Sequence, residues 1–246
     1  MSKIKLHTYN VLNQSGAAVT VTGSPDSGYP EERLYDDSID FYWKYTATAT
    51  VTFHIDQGAS DNLLVDTLII DKHNFNGRVM SWEYSDNDSN WFDLVDGWTQ
   101  GGNLQIVKVS TETSAHRYLR LVVTSAVNPQ CTEIYMGHGY EFQVRFDEPP
   151  EELDIDNVLW EETLGGCERS TKFGDVRKGR MYSVFLDPTL LAKWRIAISY
   201  LDENSKPFHI KDHEDNYWLG RFKGLPGGIF PTEQQQTKQF ELLEIL

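Results

Sequence analysis

Residues 69–94 read IIDKHNFNGRVMSWEYSDNDSNWFDL, and the fold turns on how this stretch is understood. Two apolar segments flank a crowd of acidic and amide side chains, DNDSN at 86–90, which invites comparison with a calcium-binding loop. Asp86, Asp88 and Asn90 satisfy the first three ligand positions of an EF-hand loop. The sixth position needs glycine for a sharp bend and is Trp91; the twelfth needs a bidentate glutamate and is Gly97. The preceding RVMSWEYS (78–85) alternates, with Met80, Trp82 and Tyr84 on one face and Val79, Ser81, Glu83 and Ser85 on the other. That is the period of a strand, whereas an EF-hand needs a helix there. DNDSN is therefore expected to be a turn between two strands.

Working outward, the same period recurs. TATATVTFHI (46–55) alternates small or polar with apolar residues, and LLVDTLII (63–70) is apolar almost throughout, as a central sandwich strand would be. LQIVKVS (104–110), RYLRLVVTS (117–125) and TEIYMGHGYEFQV (132–144) complete the set. Short strands separated by turn residues, with no long amphipathic helix before residue 145, predict an antiparallel sandwich or barrel.

A break follows. DEPPEELDID (147–156) holds six acidic residues and no basic one, whereas residues 157–246 hold 13 acidic against 12 basic. Paired prolines and like charges predict a linker, so the expected division is a first domain at 1–145, an acidic Pro-rich linker at 146–156 and a second domain at 157–246. In the second domain MYSVFLD (181–187) reads as a strand ending at Asp187-Pro188, an N-cap followed by proline at the first helical position. Leu190, Leu191, Trp194, Ile198 and Leu201 then recur at helical spacing, predicting a helix over 188–202. PFHIKD, YWLGRFK and FELLEIL read as strands. The expected fold class is mainly β: a β-sandwich followed by a small β-rich α+β domain.

Composition narrows the function classes. A net charge of −15 disfavours nucleic-acid phosphate as partner. No apolar run reaches the roughly 20 residues that span a bilayer, so membrane insertion is not expected. MSKIKLHTYNVLNQSG has two lysines but no apolar core behind them, so it does not read as a secretory signal. The two cysteines, Cys131 and Cys167, lie in no CxxC or Cys/His cluster and are expected as free thiols. Adjacent carboxylates at Glu161-Glu162, Asp202-Glu203 and Glu214-Asp215 suggest acid/base chemistry, but neighbours on a strand point to opposite faces. With no G-x-S-x-G, HExxH or P-loop, the chain is not expected to be an enzyme.

The opening stretch also resembles the discoidin, or coagulation factor type C, signature: an apolar strand leading to His-Asn (73–74), a Gly, a strand ending in Tyr-Ser, an Asp-containing turn and Asn-Trp. Three further segments stand in the family's order: RLYDDSIDFYWK (33–44), VTFHIDQG (51–58) and HRYLRLVV (116–123), the last followed by a Glu-initiated strand at Glu133. The resemblance covers about residues 20–143. It implies a galactose-binding-like jelly-roll sandwich that binds carbohydrate or other ligands in loops at one end, with no chemistry of its own. It also implies a structural calcium ion in some relatives, carried here onto Asp36 or Asp37, Ser38 and Glu133; no other cofactor is expected. A sugar offers an apolar CH face to rings and hydroxyls to polar groups. The loop residues of matching chemistry are Tyr29, Tyr35, Tyr42 and Trp98, with Arg33 and Asn128 as polar contacts.

The second half, from ETLGGCERSTKFGDVRKGRMYSVFLDP to FELLEIL, resembles small α+β domains of long-tailed bacteriophage tail proteins. This implies a structural block that packs in a ring with copies of itself or other tail proteins. Together the halves suggest a non-catalytic phage or prophage tail component carrying a carbohydrate-binding module, assembled in a bacterial cytoplasm and located in the virion tail. The alternative is an extracellular bacterial carbohydrate-binding protein, and a second alternative is a component of a glycan-active enzyme.

Overall fold

The computed structural model describes residues 3–244 except 24, 39, 59–61, 145–150, 156–157, 163–167, 173–176, 202–205, 223–226 and 233–234; side chains are not described at 144, 151–179, 185, 223–241 and 243–244. The described chain is mostly antiparallel β. It divides into two compact units, one formed by Tyr9–Gly139 and the other by Met1–Thr8 together with Tyr140–Leu246.

Tyr9–Gly139 is a jelly-roll-like sandwich. A five-stranded sheet runs Ala18–Val21, Thr48–Asp56, Tyr118–Val127, Val79–Ser85, Phe92–Thr99, and a three-stranded sheet runs Glu133–Gly137, Thr67–Asp71, Ile106–Val109. A two-stranded pair, Trp43–Lys44 with Gln130–Cys131, completes it. Alternation decides which residues enter the core: along Thr48–Asp56 the side chains of Val51, Phe53 and Ile55 are buried, and across the ladder so are Leu119, Leu121 and Val123. Met80 and Trp82 continue the same face. Every residue of Thr67–Asp71 is buried, as expected of a strand covered on both faces. The only helices among the described residues of this unit are the 3₁₀ turns Val11–Asn13 and Glu31–Leu34.

The other unit is built on an eight-stranded sheet ordered Glu151–Ile155, Arg177–Leu186, Tyr140–Val144, Lys3–His7, Phe208–Lys211, Tyr217–Phe222, Gln235–Glu244, Gly227–Thr232. Arg177–Leu186 also pairs with Gln235–Glu244, so six of the strands close into a ring. Ring closure satisfies strand edges that an open sheet leaves bare. Its core gathers Ile4, Leu6, Phe142, Tyr182, Val184, Phe208, Ile210, Phe222 and Leu242. The helix Pro188–Ser199 begins as predicted: Asp187 accepts a hydrogen bond from the Leu190 N–H at 2.8 Å, and Pro188 stands at its first position. It adds Trp194 and Ala197 to the core, Trp194 edge-on to Phe142 at 5.2 Å. No helix among the described residues is long and apolar enough to cross a membrane.

This division differs from the expected one in three ways. First, Lys3–His7 belongs to the second unit, where it lies between Tyr140–Val144 and Phe208–Lys211. The sandwich is thus inserted between two antiparallel strands of the barrel. Second, the segment expected as one strand over 132–144 is two strands broken at His138–Gly139, and its halves fall in different units. Gly137 marks the break, since a Cβ there would collide with the Tyr9 carbonyl and the Tyr135 ring. Third, residues 151–155 of the expected linker form a strand, and its register sets Glu152 opposite Arg180 and Asp154 opposite Lys178. Counting like charges along the segment misses cross-strand partners of opposite sign. Residues 146–150 and 156 of that linker, and Cys167, lie outside the described residues.

The DNDSN segment is a tight turn at 86–90. The Asn87 side-chain oxygen accepts the Ser89 and Asn90 N–H groups at 3.0 and 2.9 Å, and Asp88 takes the left-handed backbone that Asp and Asn tolerate, with φ 57°. Its two aspartates bond to histidines of neighbouring segments, Asp86 to His116 at 2.9 Å and Asp88 to His54 at 2.8 Å.

Candidate functional site

Strand register brings a set of loops to one end of the sandwich. Thr48 pairs with Val127, Met80 with Val123, Val79 with Thr99 and Lys44 with Gln130. The segments 22–47, 72–78, 100–105 and 128–132 therefore leave the strands at this end. The turn at 86–90 lies at the other, where Tyr84 pairs with Phe92 and Ser85 with Tyr118.

Within the first set, DFYWK (40–44) divides its aromatics among three environments. Trp43 enters the core at 1% exposure and packs edge-on to Phe53 at 5.3 Å. Tyr42 stacks on Tyr29, ring centres 5.0 Å apart at 26°. Phe41 is 54% exposed. Arg33 comes from the turn Glu31–Leu34, which the fully buried Leu34 anchors. The Arg33 guanidinium lies 5.2 Å from the Phe41 ring centre and 5.5 Å from that of Tyr29, and its Nη1 donates to the Tyr42 carbonyl at 3.4 Å. The Lys44 ammonium lies 5.6 Å from the Tyr29 ring. Cations at these distances are drawn to the negative ring faces.

The backbone fixes this group. Asp26 N–H donates to the Lys44 carbonyl at 2.9 Å and Tyr29 N–H to the Asp26 carbonyl at 2.9 Å. The Asp26 carboxylate in turn accepts the N–H and hydroxyl of Thr46, which lowers its pKa. The two sides of the loop are tied by the same residue.

Three of the expected ligand contacts, Tyr29, Arg33 and Tyr42, are brought together, and the other three are not. Tyr35 lies near Glu31 and Glu32; partial burial, then those two charges, raise its pKa. Trp98 sits on the strand Phe92–Thr99 with Lys108 4.6 Å from its ring and its Nε1 donating to Gln100 at 3.3 Å. Asn128 is exposed at φ 45°, its N–H donating to the Ala47 carbonyl at 2.8 Å and its carbonyl accepting from Asn74 at 2.9 Å. It shares the loop end, and its hydrogen bonds run to Ala47 and Asn74, not to the ring group. Phe41 and Lys44 were not expected in the group. A period of two would put Phe41 on the core side with Trp43, but the strand begins only at Trp43.

The expected metal positions lie beside Glu133, a carboxyl 2% exposed. Its Oε1 accepts from Asn10 at 3.4 Å, and its Oε2 has no hydrogen-bond partner. Burial holds its pKa well above the usual carboxylate range, and the charges of Asp37, Asp36 and Asp71 push the same way. Asp37 is at φ 59° and accepts from Asn13 at 3.3 Å; Asp36 accepts the Ser38 N–H at 3.0 Å, and the Ser38 hydroxyl accepts the Asp40 N–H at 3.3 Å. Among the described residues no three His, Cys, Asp or Glu side chains form a ready metal cluster. A cation here would draw its remaining oxygens from carbonyls and water. An orphaned buried carboxylate oxygen among like charges is chemically suited to a hard divalent cation.

Of the carboxylate pairs considered for acid/base work, Glu214 and Asp215 are exposed and belong to the turn capped by Asp212. Asp202-Glu203 lies outside the described residues, and the side chains of Glu161 and Glu162 are not described.

No protein-family model matches the chain, and no curated protein matches it significantly. Solved structures similar to it include CpGH89CBM32-6 from Clostridium perfringens, at 18% identity and TM-score 0.44 over 52% of this chain and 98% of that one. Chitosan-binding module 1 of a chitosanase/glucanase from Paenibacillus sp. IK-5 is 15% identical, with TM-score 0.43 over 53% of this chain and 99% of that one. A Ruminococcus gnavus GH29 fucosidase in complex with fucose is 23% identical, with TM-score 0.43 over 52% of this chain but only 26% of that one.

Proposed function

We propose that the chain is a non-catalytic carbohydrate-binding protein whose sandwich holds a glycan at the loop end. The observation that supports this most is Phe41, a ring left 54% exposed beside a guanidinium and a stacked tyrosine pair. An open aromatic face with fixed donors at its edge suits a sugar, which is apolar on one face and hydroxylated around its rim. Asn128 stands at the same end as a peripheral polar contact. A glycan array probed with the intact chain and with Phe41→Ala tests the reading. The intact chain is expected to retain a defined set of glycans, and Phe41→Ala to weaken each by about tenfold or more, in the range of a buried aromatic contact at a binding centre. Retention of the same glycans at equal strength by Phe41→Ala refutes it.

A second reading, a structural block in a phage tail, is favoured by the strands Glu151–Ile155 and Gly227–Thr232. Each is paired on one side among the described residues and lies outside the closed ring of the barrel. Such edges can pair with other chains. Light scattering separates the two readings, a stable ring favouring assembly and a monomer with a defined glycan opposing it.

We propose further that calcium binds at Glu133, with Asp36, Asp37 and Ser38 adjoining. With a raised folded pKa, the Glu133 contribution to stability is present in full below the unfolded value near 4.3 and is lost as pH rises toward the folded one. Calcium, by neutralising the carboxylate, is expected to raise the unfolding midpoint most near neutral pH. Glu133→Gln is expected to remove that dependence on calcium. A wild-type midpoint unmoved by millimolar calcium counts against the site.

A further inference from the structure

We propose that the glycan taken at the loop end is acidic, its carboxylate held between Arg33 and Lys44. This rests on the glycan-binding reading and names the substrate class.

The inference comes from how the sandwich treats its cations. Along the outer face of the five-stranded sheet and at the far end, two arginines are paired with carboxylates and three histidines hydrogen-bond to them. Arg117 grips Asp56 with Nε and Nη2 at 2.8 and 2.9 Å, and Arg120 Nε donates to Glu83 at 2.6 Å. His54, His116 and His138 meet Asp88, Asp86 and Asp66 at 2.8, 2.9 and 2.7 Å. Arg33 and Lys44 at the loop end stand outside these pairs, as do Arg78 and Lys108, the latter 4.6 Å from the Trp98 ring; only Arg33 and Lys44 share one ring, Tyr29. Neither Arg33 nor Lys44 has a carboxylate within 4 Å among the described residues, in a chain whose net charge is −15. Both are held instead against rings, Arg33 at Tyr29 and Phe41 and Lys44 at Tyr29.

Two nearby carboxylates are engaged elsewhere. Asp26 is taken by the N–H and hydroxyl of Thr46, and Asp36 by the Ser38 N–H. They act on Lys44 and Arg33 only through space. Arg33 offers five N–H donors, of which the Tyr42 carbonyl takes one. A guanidinium stacked on rings is preorganised for planar, two-point recognition of a carboxylate, and a second cation on the same Tyr29 doubles the local positive charge. A free inorganic anion would have no use for the exposed Phe41 ring. A uronic acid residue presents both an apolar ring face and a carboxylate.

The test uses sugars that differ only at C6. Trigalacturonate and galactotriose form one pair, and oligosaccharides of glucuronate and of glucose form another; each is titrated calorimetrically into the intact chain, Arg33→Gln, Lys44→Gln and Phe41→Ala. The acid member of at least one pair is expected to bind at least tenfold tighter than its neutral partner and to weaken several-fold as sodium chloride rises from 50 to 500 mM, roughly as a screened exposed charge pair should. Arg33→Gln is expected to lose about tenfold for the acid and less than threefold for the neutral sugar, since a hydrogen bond to a charged group is stronger than one to a neutral group. Phe41→Ala should weaken both members alike. Equal binding of acid and neutral partners overturns this inference and leaves the glycan reading standing. Binding of no member of either pair overturns this inference, while the glycan reading stands or falls with the array.

Discussion

A chain lacking residues 1–8 loses the barrel and keeps the sandwich. Lys3–His7 is bonded on both sides, pairing Ile4 with Phe142 and Leu6 with Tyr140 on one edge and Leu6 with Ile210 on the other. Its inward side chains, Ile4 at 1% and Leu6 at 0% exposure, lie in the same core as Phe142, Trp194 and Phe222. Deletion removes both apolar groups and leaves each flanking strand with one bare edge, so the ring opens. Each unmade buried backbone bond adds a desolvation cost. Even Leu6→Ala, which keeps the strand, is expected to cost about 2–5 kcal/mol. A fragment of residues 9–139 is expected to unfold cooperatively by itself. Residues 140–246 alone are expected to show no cooperative transition, and adding a peptide of residues 1–8 should restore one. Cooperative folding of 140–246 without that peptide contradicts the closed ring.

Two aromatics of the DFYWK segment, Trp43 and Phe41, give opposite results. Trp43→Ala removes a large side chain 1% exposed and packed on Phe53, for an expected loss of about 3–5 kcal/mol. Phe41→Ala removes a ring that stands largely in water, and its expected effect on stability is within about 0.5 kcal/mol. Denaturant midpoints of the two variants, taken on the 9–139 fragment at constant slope, make the comparison. A Phe41→Ala loss comparable with that of Trp43→Ala would show that Phe41 is core, and with it the proposed platform would fall.

The sandwich was legible because alternation is a local property. Val51, Phe53 and Ile55, or Met80 and Trp82, announce their faces within a few residues, and DNDSN declares itself a turn by lacking the glycine and glutamate of a metal loop. The helix start at Asp187-Pro188 was legible for the same reason. What was not legible depends on partners far away in sequence. Nothing inside KIKLH shows that it pairs with Tyr140–Val144 and Phe208–Lys211, so a domain boundary drawn from composition assigned it to the sandwich. The acidic strand Glu151–Ile155 was hidden because its basic partners stand more than twenty residues on. In the candidate site, residue type pointed to Tyr29, Arg33 and Tyr42, whereas Phe41 and Lys44 emerged only once the strand was seen to begin at Trp43.

Backbone amide shift mapping of the isotopically labelled 9–139 fragment tests the central claim most directly, titrating the strongest glycan from the array. The account predicts shifts concentrated at residues 29–33, 41–46 and 128, displaced to about tenfold or more higher glycan concentration in Phe41→Ala, with the 86–91 turn unmoved. Shifts centred on 86–91 and 110–117, at the opposite end of the sandwich, contradict it.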